Sequence, residues 1–209
     1  MVKVKGCNMF PSQIEEVLQF TDGASSEYQV MIEAINGRDV LTVLFETPLE
    51  GETPERLALR LAIAKARAVA KDNPGSVVIG SDQVCALSGK ALGKPHNYEG
   101  AVRQLTEMQG NTLVFHTAVC VIGADGSEQT CVSDTRIEMR ALSAKAIAAY
   151  VRREEPYDCA GSAKIEKLGI ALMKSVSSDD PTSLIGLPLM RVTDMLLKAG
   201  IEVIDGLGE

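Results

Sequence analysis

Residues 112–123 (TLVFHTAVCVIG) and 128–140 (EQTCVSDTRIEMR) are two long runs rich in β-branched residues, separated by a turn at Asp125-Gly126. An Asp-Gly pair between such runs specifies a β-hairpin, because the tight turn needs positive φ and glycine supplies it without strain. YQVMIEA and VLTVLFE form a second pair around Asn36-Gly37, and the strand at 76–80 leads into a third hairpin around Ser88-Gly89. Hairpins impose antiparallel pairing, so a purely parallel sheet is excluded.

Helical patterns alternate with these strands. Pro11 opens a short amphipathic segment over 11–20 with Ile14, Val17 and Leu18 on one face. The longest helix spans Pro54 to Lys71, with Thr53 as its N-cap and an alanine-rich register suited to close packing. Further helices are expected over 98–108, over AKAIAAYVRR after the cap Ser143, and from Pro188 to Ala199 with a stop at Gly200. Short strands are expected at 2–5, in GIALMKSV (169–176) and in IEVI (201–204), and 48–53 is a linker. The pattern as a whole predicts an α/β protein with a mixed sheet.

The chain's 209 residues, 45% of them hydrophobic, can bury one two-lobed domain or two small ones. A net charge of −7, with both signs interleaved, argues against nucleic-acid or anionic-membrane partners. With neither a leader nor an apolar run of membrane-span length, a cytoplasmic protein is expected. Cys7, Cys85, Cys120, Cys131 and Cys159 include no C-x-x-C pair, which reads as reduced thiols.

The stretch VVIGSDQVCALSGKALGKP (77–95) carries the chemistry. Its apolar start gives way to Gly80-Ser81-Asp82, which reads as the end of a strand. Lys94 follows between Gly93 and Pro95, which restrict the backbone. Lys65 lies mid-helix among alanines and Glu46 closes a strand before Thr47-Pro48. Taken singly, Asp82 reads equally as a turn former, Lys94 as a surface lysine, Lys65 as a snorkelling side chain and Glu46 as an edge carboxylate. Together, two carboxylates and two lysines are what phosphate-ester chemistry requires: carboxylates to hold a divalent metal and orient water, ammonium groups to neutralise phosphate oxygens. Of the two histidines, His116 reads as structural, and Arg136 and Arg140 as a solvated strand face.

The segments RLALRLAIAKA, VVIGSDQVCALSGKALGKP, LSAKAIAAYV, CAGSAKIEKLGIAL and SLIGLPLMRVTDMLLKAGI resemble, in order and spacing, the Maf family of nucleoside triphosphate pyrophosphatases, over about residues 46–204. The resemblance implies an inosine-triphosphatase-like, two-lobed α/β fold with a long mixed sheet and a central cleft. It also implies cleavage of a nucleoside triphosphate between its α- and β-phosphates with Mg²⁺ or Mn²⁺, by a homodimer. It assigns Asp82 as the proton acceptor and, with Glu46, as a metal ligand, and Lys65 and Lys94 as phosphate contacts. Gln83 and Glu166 match the base-selecting pair, and a glutamate at the later position resembles the branch acting on 7-methyl-GTP. A carboxylate there can attract the positive charge of the methylated ring.

Residues 2–46 depart from the family's opening Ser-x-Ser-Pro-x-Arg-Arg loop. Residues 2–46 instead resemble the C-terminal subdomain of phenylacetate-CoA ligases, whose Gly-x-Asn-x-Phe-Pro-Ser-Gln-Ile-Glu-Glu pattern is matched by Gly6 to Glu16. The expected organisation is therefore a chimera: a β-α-β-β segment over 1–46 and a Maf-like domain over 47–209. Without the arginine loop, an alternative is a catalytically impaired scaffold that binds nucleotide or a protein partner.

Overall fold

The computed structural model describes residues 2–4, 7–9, 28–35 and 38–45 as backbone strands, and residues 49–204 in full. The chain divides into two compact units, Met1–Gly51 and Glu52–Glu209. In the first, β1 (Val2–Val4) pairs antiparallel with β2 (Cys7–Met9), and β3 (Tyr28–Ile35) with β4 (Arg38–Phe45). Ile35 faces Arg38 and Tyr28 faces Phe45, which is the hairpin expected there. The helix expected over 11–20 and the candidate ligand Glu46 lie outside the described residues.

The second unit opens with α1 (Pro54–Asp72), capped by Thr53, whose hydroxyl accepts from Arg56 N–H at 3.3 Å. β5 (Val78–Leu87), β6 (Lys90–Leu92), α2 (Tyr98–Met108), β7 (Thr112–Ile122), β8 (Glu128–Met139), α3 (Ala144–Glu154), β9 (Met173–Ser178) and α4 (Leu189–Lys198) follow. The strands form one sheet in the order β6-β5-β7-β8-β9, and every described ladder is antiparallel. The α/β architecture is the one that the hairpins and helices predict, while the sheet expected to be mixed is antiparallel among the described residues.

Three local expectations differ. β5 does not stop at Gly80-Ser81-Asp82; it pairs with β7 without interruption from Val78–Ile122 to Leu87–Leu113. GIALMKSV starts as a 3₁₀ turn at Leu168–Leu172 and becomes strand only at Met173. Residues 201–204 form no strand, and Ile201 N–H instead bonds Leu196 O behind α4.

Alternation along the strands gives the sheet two apolar faces. On one, Leu57, Ala58, Leu61, Ala62 and Ala66 of α1 pack on Val78, Val84, Ala118, Cys120 and Ile122. The other is covered by α2, α3 and 3₁₀ segments around Phe115, and by Val192 and Met195 of α4 on Val119 and Val121. Contact with α1 is close at Gly80, where a Cβ would lie 2.5 Å from both Ala62 O and Ala66 N. Among the described residues no helix is long and apolar enough to cross a membrane.

Candidate active site

Asp82 is the fifth of ten residues in β5, inside the strand and not at its end. Its side chain lies on the α1 face, together with Gly80 and Val84. Because α1 lies directly on Gly80, Lys65 is brought over the strand, and its Nζ donates to Asp82 Oδ1 at 2.6 Å. The carboxylate side chain is 13% exposed and the ammonium 42%. A charge-assisted bond at this distance holds the pair in one geometry while the lysine stays open to solvent.

Gln83 points to the opposite face. Its Nε2 donates to Thr117 Oγ1 at 2.9 Å, to Ser183 O at 2.8 Å and to Leu184 O at 3.4 Å. On the same face Ser81 Oγ donates to Gly186 O at 2.9 Å. Neighbours in sequence, Asp82 and Gln83 are thus separated by the sheet, as the strand's period of two requires.

Lys94 leaves the sheet edge two residues past Leu92, whose partner is Cys85. Its segment is pinned by Gln104 Nε2 donating to Gly93 O at 2.9 Å, and by Gly100, where a Cβ would lie 2.1 Å from Pro95 O. Glu166 is exposed in a turn between two 3₁₀ segments. That turn is closed by Lys167 and Gly169 N–H groups, both donating to Lys164 O. Ile165 and Gly161 attach this loop to the Cys85–Phe115 face of the sheet, the face that carries Gln83. The structure therefore joins Lys65 to Asp82 and places Gln83 and the Glu166 loop on the other side.

Two features escape a reading by residue type. His116 shares the Asp82 face: Ala118 is opposite Asp82, so His116 is its diagonal neighbour, about 7–8 Å away across the ladder. Its Nδ1 lies 2.7 Å from Asp134 Oδ1 on β8. Only the β5–β7–β8 register reveals the arrangement. The second is Asp180, wholly buried, with four protein donors: Thr182 N–H (3.1 Å) and Oγ1–H (2.6 Å) on Oδ1, Met190 N–H (2.8 Å) and Arg191 N–H (3.4 Å) on Oδ2. Burial would raise its pKa, but the Thr182 hydroxyl and the three backbone donors outweigh that and hold the carboxyl below the ordinary 3.8. A depressed carboxyl contributes stability above its unfolded value and loses it as pH falls through the folded one. The urea midpoint should accordingly fall below about pH 4, and fall less steeply in Asp180→Asn; parallel pH profiles would remove Asp180 as the source.

Three of the described cysteines are disfavoured as nucleophiles. Burial pushes the Cys85 thiol up to about 12 and those of Cys120 and Cys159 to about 11.

The family of Maf-like proteins matches residues 16–199. The chain belongs to this family. A Polaromonas protein named 7-methyl-GTP pyrophosphatase is 55% identical over 165 residues, covering 78% of this chain and 75% of the relative. Proteins of the same name from Bordetella pertussis and Methylobacillus flagellatus are 52% and 51% identical, covering 77% and 76% of this chain and 80% and 83% of each relative. The Maf-like match thus begins within the first 46 residues, in the stretch set against the ligase subdomain. The ligase resemblance finds no support in these matches.

Proposed function

We propose that this Maf-like protein is a nucleoside triphosphate pyrophosphatase that converts 7-methyl-GTP to 7-methyl-GMP and pyrophosphate. The observation that carries the reading is the Lys65–Asp82 pair at 2.6 Å on an α1-covered strand, in a chain whose relatives bear that name. Asp82 accepts a proton from the attacking water, and the α–β phosphoanhydride bond breaks as pyrophosphate leaves. Lys65 and Lys94 neutralise the triphosphate, most strongly as charge moves onto the leaving group.

Among the described residues no group of three metal-ligating side chains occurs. Mg²⁺ is usually held by one or two carboxylates plus substrate phosphates, and Asp82 supplies one such hard oxygen. The ion would polarise the phosphoryl oxygens and offset their charge. Pyrophosphate release measured over a nucleotide panel with Mg²⁺ or Mn²⁺, and again with EDTA, tests the reading: turnover should be highest on 7-methyl-GTP and vanish with the chelator. Release from no nucleotide would sink it.

Glu166 supplies the preference for a cationic base. Glu166→Gln keeps hydrogen bonding but loses the attraction to ring charge. The ratio of kcat/KM on 7-methyl-GTP to that on UTP should therefore fall by roughly 10–100-fold, the size of one lost charge-assisted contact. An unmoved ratio would place Glu166 outside the base site.

A further inference from the structure

The Gln83 carboxamide has only one orientation that its surroundings permit. Ser183 O and Leu184 O are carbonyl oxygens and can only accept, so the atom facing them is the nitrogen. Thr117 Oγ1 already donates its proton to Ser183 O at 2.9 Å, so it too meets Gln83 as an acceptor. The donors of Nε2 are thereby spent within the protein. Among the described residues Oε1 takes no hydrogen bond, and it belongs to a half-buried side chain.

The carbonyls that impose this orientation belong to the 3₁₀ turn Pro181–Ile185, and Asp180 anchors that turn. Its Oδ1 caps the turn through Thr182, while its Oδ2 takes the Met190 and Arg191 N–H groups in the first turn of α4. One carboxylate thus satisfies the starts of two helical segments, donors that would otherwise be left unpaired. The turn is tied to the sheet by Ser183 Oγ donating to Ser133 Oγ at 2.7 Å, and Asp180 itself is tied to β9 by Ser178 Oγ donating to Asp180 O at 2.9 Å.

We propose that Asp180 is a positioning residue that, through the Pro181–Ile185 turn, locks Gln83 with its carboxamide oxygen outward as a fixed acceptor, so that the base site selects a ring edge rich in N–H donors. The inference rests on the reading of Gln83 as part of the base site. A guanine edge offers N1–H and the exocyclic N2–H₂ side by side, two donors for the Gln83 oxygen and the Glu166 carboxylate. Uracil offers a single N–H flanked by carbonyl oxygens, which an acceptor-only pair repels. A carboxamide free to rotate would serve both.

Two measurements on the full chain test this. In ¹⁵N-labelled protein, with the Gln83 side-chain signal assigned by its loss in Gln83→Glu, the NH₂ protons should exchange slowly, and about tenfold or more faster in Asp180→Asn as the turn loosens. In the same variant the kcat/KM ratio of 7-methyl-GTP over UTP should fall about tenfold, mainly through KM, with kcat on UTP nearly unchanged. A merely structural role would depress both substrates alike. Unchanged exchange, or an unchanged ratio in folded Asp180→Asn, overturns the inference. If that variant does not fold, Thr182→Val replaces it, removing the hydroxyl that bridges Asp180 Oδ1 and Leu189 N–H; the same outcomes decide. Should the parent release pyrophosphate from no nucleotide, the pyrophosphatase reading falls separately. The exchange measurement, joined to titration with 7-methyl-GMP and UMP, then decides the positioning claim: faster exchange with loss of the 7-methyl-GMP preference supports it, and either one unmoved overturns it.

Discussion

Asp82→Asn should fold as the parent does and lose hydrolysis by about two to four orders of magnitude, the contribution of a positioned general base. Asparagine keeps the size and planarity of the side chain, so the Asp82–Ala118 register and the packing of Val84 beneath α1 are retained. What it cannot do is take a proton from water. It also leaves Lys65 facing an amide and not a carboxylate; substrate affinity should hold while kcat collapses. A variant with parental kcat would refute the assignment of Asp82 as the base. One with a raised KM and little change in kcat would instead make Asp82 a binding group only.

Gly80→Val should destabilise the second unit by more than about 3 kcal/mol, at or beyond the upper end of ordinary overpacking. The new Cβ would meet Ala62 O and Ala66 N at 2.5 Å and the Ala66 methyl at 2.8 Å. Two of those three atoms are helix backbone, which has no rotamer to escape into. Relief requires α1 to lift from β5, opening the contacts of Leu61, Ala62 and Ala66 with Val78, Ala118 and Cys120. Lys65 lies on that helix, so it moves away from Asp82 as well. A lower urea midpoint together with weakened pyrophosphate release is expected; parental stability would show that the Gly80 contact is not the constraint described here. Gly80→Ala places the same Cβ without the branches and should fall between the two.

The helices of the second unit were legible because their signals are local. Thr53 before Pro54 and Ser143 before Ala144 mark N-termini by side-chain capping that needs nothing distant, and both caps form. The long pair at 112–123 and 128–140 was legible for the same reason, since its turn chemistry and its runs of strand-forming residues agree. The residue types of the candidate pair were legible too: a carboxylate and a lysine, each in a segment that resembles one family, are bonded to one another.

The end of β5 was not legible. Gly80-Ser81-Asp82 has the chemistry of a turn, yet the β7 ladder runs straight through it, and glycine is there because a helix backbone occupies the space of a side chain. Ending the strand at Gly80, seven residues short of Leu87, hid a second fact. Once the strand continues, its period of two sends Asp82 toward α1 and Gln83 toward the Pro181–Ile185 turn. Nor does Ser-Asp-Asp-Pro at 178–181 look like more than a polar loop. Asp180 acquires its role only when the N-terminus of α4 brings the Met190 and Arg191 N–H groups to it. The sequence by itself determined the local elements and the chemical kinds of the site residues, because caps, turns and side-chain types act over a few residues. Which face each residue lies on, and which groups Asp82 and Asp180 meet, only the tertiary structure decided, because those depend on strand register and helix approach between segments far apart in the chain.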